Sequence, residues 1–132
     1  MIGYTCVGTN QLERAVAFYD DLLGLLGAKP LFKNDRGVGW GVSPDQPMFS
    51  VLQPFDGQAA TVGNGCMVAL AASHPEQVQA LHARALALGG QRRRGAWSTW
   101  NGFLWGLFSG FGRQQTGGLL HDPSAELITS AR

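Results

Sequence analysis

The sequence predicts an α+β fold of paired βαβββ modules, and three observations carry the prediction. A short apolar strand, a polar cap, a helix and a glycine follow one another in residues 1–28 and again in residues 64–90. Within each copy the apolar residues of the helical stretch recur at three- and four-residue steps. Between the copies, three short apolar runs are separated by turn formers. A repeat this long implies two similar units that bury their apolar faces together, and such pairs commonly place a ligand pocket between sheet and partner.

The elements follow in order. Residues 2–8, with Tyr4, Thr5 and Val7, suit a strand. Asn10 and Glu13 form a capping box, so a helix begins there, and Leu12, Ala15, Val16, Tyr19, Leu22, Leu23 and Leu26 make its buried stripe. Gly27 takes the left-handed position after it. Strands are expected over residues 28–33, 37–42 and 48–53, divided by Asn34-Asp35-Arg36-Gly37 and by Ser43-Pro44-Asp45-Gln46-Pro47. Residues 66–72 open the second copy as a strand. Ser73 with Glu76 caps the next helix, Pro75 sits in its first turn, and Val78, Leu81, Ala85 and Leu88 form its stripe.

At 132 residues the chain makes one domain: module one over 1–54, a linker over 55–64 and module two over 65–132, atypical from about residue 91. A hydrophobic share of 45% against 14% charged residues argues for a folded globule. The net charge of +1 creates no field that would select nucleic acid or a membrane surface. Arg92-Arg93-Arg94 with Trp97 and Trp100 lacks the wider basic field of a nucleic-acid surface. Cys6 and Cys66 lie in strand-like runs, which reads as two buried, reduced thiols of a cytoplasmic protein. The N-terminus lacks a basic n-region, and residues 22–26 are too short an apolar run to span a bilayer.

Residues 1–90 resemble the glyoxalase/bleomycin-resistance/dioxygenase family, the vicinal oxygen chelate superfamily. Gly8-Thr9-Asn10-Gln11-Leu12-Glu13-Arg14-Ala15, Phe18-Tyr19-Asp20, Leu26-Gly27-Ala28 and Gly63-Asn64-Gly65 carry the likeness. The likeness is what implies the full pairing of βαβββ modules, with sheets that curve around one cavity, commonly in a homodimer. Metal-dependent members place a histidine in the first strand of each module and a glutamate or second histidine in the last strands. Here the first position matches Tyr4, the corresponding one falls on Cys66 or Met67, and the run Phe49-Ser50-Val51-Leu52-Gln53 offers no carboxylate. His74, His82 and His121 match no ligand position. No metal and no cofactor is therefore expected.

Beyond Gly90 the family pattern of a polar loop, paired strands and an "R-D-P-D-G-N" turn is missing. Back-translation one base later, with wobble bases free, restores it. Residues 103–116 can then encode F-Y-G-A-Y-F-R-D-L-D-G-N-K-L, residues 117–121 can encode A-A-F-C-M, and residues 91–97 can encode N-D-G-E-A-P-G. The segment from about Gln91 is accordingly expected to lie outside the ancestral frame, through a frameshifted gene or a sequence error. The alternative is an unusual, selected terminus. The restored last strand, L-A-A-F, also lacks a glutamate.

Pocket residues are expected on the concave side of the sheets: Tyr4, Cys6, Trp40, Phe49 and Met67, with Phe55 and Asp56 at the rim. Trp40 either stacks on a planar ligand or fills the core. Asp20 and Asp21 point about 100° apart on a helix and are expected on a solvated face. His82 is expected to be partly exposed or capping. The function implied is binding of a small, partly apolar molecule by a metal-free cytoplasmic homodimer. The alternatives are a glyoxalase- or dioxygenase-type enzyme with displaced ligands, and a non-catalytic dimeric remnant.

Overall fold

A computed structural model describes residues 1–61, 68–92, 97–98, 104–105 and 108–109. Module one contains β1 (Tyr4–Gly8), α1 (Leu12–Gly24), β2 (Lys29–Asn34), β3 (Gly37–Gly41) and β4 (Met48–Leu52). Its sheet has the order β1-β4-β3-β2. β1 runs parallel to β4 with Cys6 opposite Ser50, while β3 is antiparallel to β4 and β2 to β3, with an irregularity between Pro30 and Phe32. A parallel β1–β4 pair requires a long crossover, which α1 and the β2–β3 hairpin supply.

Module two repeats the helix as α2 (Pro75–Ala87). Both helices end alike. Ala28 N–H reaches the Leu23 carbonyl at 3.1 Å and Gly27 N–H the Gly24 carbonyl at 2.9 Å, with Gly27 at φ 76°. Gly90 to Ala85 at 2.8 Å and Gly89 to Leu86 at 3.0 Å, with Gly89 at φ 90°, make the same Schellman closure. Two residues after each left-handed glycine a strand begins: β2 at Lys29, and β5 (Gln91–Arg92). β5 pairs antiparallel with β8 (Phe108–Ser109), and β6 (Trp97–Ser98) with β7 (Leu104–Trp105). The rest of the tail on which the frame expectation bears lies outside the described residues.

Several expectations need correction. Residues 68–72 form no ladder among the described residues, although Val68, Leu70 and Ala72 alternate inward and pack on the core. Alternation orients side chains, but a strand also needs a hydrogen-bonding partner. Asn10 does not cap α1. The N-cap is Gln11, without a side-chain cap bond, and Asn10 instead clamps Ala60 through Nδ2 to the carbonyl at 2.9 Å and Oδ1 from the N–H at 2.7 Å. The second helix starts one residue late. His74 is its N-cap, its Nδ1 accepting from Gln77 N–H at 3.3 Å, while the Gln77 side chain accepts from Ser73 N–H at 2.8 Å.

The core joins both helices to one sheet face: Ala15, Phe18, Tyr19, Leu22, Leu23, Val38, Trp40, Phe49, Val51, Leu81 and Ala85 form one buried cluster. Tyr19 centres it, its ring 4.8 Å from Phe49 and edge-on to Phe18 at 5.0 Å. Burial pushes the Tyr19 phenol well above its usual pKa. The unfolded chain therefore ionises first, and stability present below about pH 10 falls as pH rises toward the folded value. Tyr19→Phe is expected to remove much of that alkaline loss, read as the Tm difference between pH 8 and pH 11.

Candidate functional site

The period of two along each strand divides the sheet into two faces. Val38, Trp40, Phe49 and Val51 face the helices and are buried. Tyr4, Cys6, Met48, Ser50 and Leu52 alternate with them onto the opposite face, which is open at Tyr4 and Cys6 while Ser50 is fully covered. Phe32 and Leu31 join the open face, because a Cβ at Gly39 would run into the Phe32 ring and one at Gly41 into Leu31 and Met48.

Tyr4 is 62% exposed there. Beside it, Cys6 Sγ lies 2.8 Å from Ser50 Oγ, and that hydroxyl donates to the Thr5 carbonyl at 2.9 Å. Since the serine proton is committed to Thr5, the Cys6 S–H donates to Ser50. Cys6 is exposed rather than buried, because the strand register turns it away from α1. Cys66 lies outside the described residues.

Of the five expected pocket residues, the structure brings Tyr4 and Cys6 together. Trp40 and Phe49 stand on the other face, in the core. Trp40 is 1% exposed, and its Nε1 donates to Asp20 Oδ1 at 3.0 Å. Alternation does not say which side the helices cover, and the run Gly37-Val38-Gly39-Trp40-Gly41 holds that signal, since its glycines all face where Phe32, Leu31 and Leu52 lie close. Met67 lies outside the described residues. Ser50 is the contributor the sequence reading passed over.

The acidic pair is structural rather than merely solvated. Asp20 holds Trp40, and Asp21 takes Arg84 of α2 in a two-pronged pair, Nε at 2.6 Å together with Nη2 to Oδ2. The Arg84 hydrogen bonds and charge hold the Asp21 carboxyl below its ordinary pKa. His82 is buried at 7% exposure, on the inner stripe of α2.

On the open face of module one the donors are a phenol, a thiol and a hydroxyl. Divalent-metal sites of this kind need imidazole and carboxylate. Among the described residues no three of His, Cys, Asp and Glu converge. The residues present at this face therefore do not fit the metal of metal-dependent relatives.

A second concavity lies where β1 and β4 both end. Thr9 and Asn10 follow β1, Arg36 lies in the β2–β3 turn, and Gln53 to Ala59 follow β4, enclosing about 470 Å³. Asn34 Oδ1 accepts from Arg36 and Gly37 N–H at 3.0 and 2.9 Å, and Gln53 N–H donates to the Arg36 carbonyl at 2.7 Å. The Arg36 guanidinium rides 4.9 Å above the Phe55 ring. Asp56 does not line the cleft; its carboxylate accepts from Gln58 N–H at 3.0 Å. No helix among the described residues is long and apolar enough to cross a membrane.

The strand order, the crossover helix and the repeated helix ending define a glyoxalase-like α+β fold, and solved structures match it. A glyoxalase/bleomycin resistance protein from Albidiferax ferrireducens T118 is 32% identical over 88% of this chain and 92% of its own, with TM-score 0.74. The chain belongs to the glyoxalase/bleomycin resistance protein family. More distant matches show the shared fold alone. A glyoxalase-related enzyme from Fulvimarina pelagi has 18% identity and TM-score 0.64 over 88% of this chain and 83% of its own. A lactoylglutathione lyase from Agrobacterium tumefaciens has 16% identity and TM-score 0.59 over 88% of both chains. No protein-family model and no curated protein matches the sequence.

Proposed function

We propose that the chain binds a small, partly apolar molecule on the open face of its first sheet without a metal ion, as a cytoplasmic homodimer. One observation carries the reading: Tyr4, which the resemblance matches to the family's first metal-ligand position, is exposed beside a Cys6 whose proton is engaged by Ser50. A phenol and a thiol offer a planar molecule stacking area and hydrogen bonds where metal-dependent relatives hold an ion. Leu31, Phe32, Met48 and Leu52 supply apolar surface around them. For the dimer, support comes from β1, which is an edge strand among the described residues, the kind of edge that pairs with a second chain.

The test is thermal shift against planar aromatics and glycopeptides, with metal analysis of the same preparation. A ligand-dependent rise in Tm is expected in the wild type, with affinity falling several-fold in Tyr4→Ala, consistent with about 0.5–1.5 kcal/mol for an aromatic contact. Nickel, zinc and iron are expected well below one per chain. Stoichiometric metal would overturn the reading and favour the displaced-ligand enzyme. No response to any compound would favour the non-catalytic remnant. Sedimentation velocity reads the dimer directly.

A further inference from the structure

The cleft at the shared end of β1 and β4 is a different place from the open sheet face, and its lining has a different chemistry. Arg36 is the one charged side chain among the described residues lining it. Among the described residues no carboxylate pairs with that guanidinium; its recorded side-chain contact is the Phe55 ring. A guanidinium held over an aromatic ring still carries five N–H donors, enough to take a carboxylate with two parallel bonds while the ring contact is kept. Phe55 is 90% exposed, so its ring is open to a ligand on the side away from Arg36.

The walls are held independently of any ligand. Asn10 clasps both backbone groups of Ala60, Asn34 ties down the turn that carries Arg36, and Gln53 N–H locks that turn to the end of β4. Gly57 N–H closes on the Pro54 carbonyl at 3.2 Å. A volume of about 470 Å³ falls within the range of small-molecule sites. Pro54, Phe55 and Ala59 present apolar surface, and Gln53 and Gln58 carry amides.

We propose that this cleft binds a small organic carboxylate, its carboxyl group paired with Arg36 and its apolar body resting on Pro54, Phe55 and Ala59. The site is separate from the one assigned to Tyr4 and does not depend on that reading.

The experiment titrates the full chain with benzoate and with its neutral isostere benzamide, following backbone amides by NMR in wild type, Arg36→Gln and Arg36→Lys. Benzoate is expected to shift the amides of Thr9, Asn10 and residues 53–59 and to leave Tyr4 and Cys6 unmoved. Its affinity is expected to fall about tenfold in Arg36→Gln, as loss of a charge-assisted bond predicts. Arg36→Lys should keep part of that affinity, since it retains charge but not the two-pronged geometry. Arg36 is exposed, so the variants should melt with the wild type. Equal binding of benzamide, shifts that survive Arg36→Gln, or shifts confined to the Tyr4 face would each overturn the proposal. Inorganic phosphate competing with benzoate at equal strength would also overturn it, as simple anion attraction.

Discussion

Trp40→Ala is expected to lose about 3–5 kcal/mol of stability, the range for emptying a buried aromatic site. The indole is 1% exposed, sits 6.2 Å from the Tyr19 ring and belongs to the cluster that joins both helices to the sheet. Domains of this size are stable by only about 5–15 kcal/mol, so the variant should be substantially unfolded at modest urea. Trp40→Phe should cost far less. It keeps most of the apolar body, and Asp20, being exposed, regains water for the lost Nε1 bond. Urea unfolding followed by far-UV circular dichroism reads both. The result also separates two roles for the residue: a ligand platform would tolerate alanine but lose binding, whereas a core residue loses the fold. A cost below about 1 kcal/mol would sink the core assignment.

Replacing residues 91–97 by N-D-G-E-A-P-G and residues 103–121 by F-Y-G-A-Y-F-R-D-L-D-G-N-K-L-A-A-F-C-M is expected to raise both Tm and the urea m-value. The m-value follows the surface exposed on unfolding, so completing a module should increase it. In module one, β1 is paired by β4. In module two, Val68, Leu70 and Ala72 alternate inward without a ladder partner among the described residues. K-L-A-A-F in the restored frame comes where the duplication calls for that partner. Unchanged Tm and m-value, or a chain that aggregates while the wild type does not, would count against the frame account. Intact mass spectrometry of the natural protein is the direct companion measurement. A mass equal to this chain eliminates a sequence error and leaves the frameshifted gene or a selected terminus.

Much of the fold was legible because local chemistry repeats. Gly27 and Gly89 each close a helix in the same Schellman geometry, and the turn formers at 34–37 and 43–47 separate β2, β3 and β4 within a residue or two of their expected bounds. Caps were less legible. Asn10 has a cap's chemistry, yet Ala60, fifty residues away, takes both ends of its amide. The candidate site was half legible. Tyr4 and Cys6 share the exposed side of β1, whereas Trp40 and Phe49 lie on the side that the helices cover. Alternation tells which residues share a side and is silent on which side the helices cover.

The sequence by itself determined the α+β class, the repeated helix with its glycine ending and the residue types carried by module one's strands, because all of these are properties of neighbours along the chain. Only the tertiary structure decided that Trp40 belongs to the core, that Cys6 faces outward onto Ser50, that Asp21 ties α1 to Arg84 and that Arg36 meets Phe55 at a cleft. Each of those facts is a contact between segments far apart in sequence, and such contacts depend on how the helices settle on one face of the sheet rather than on any local preference.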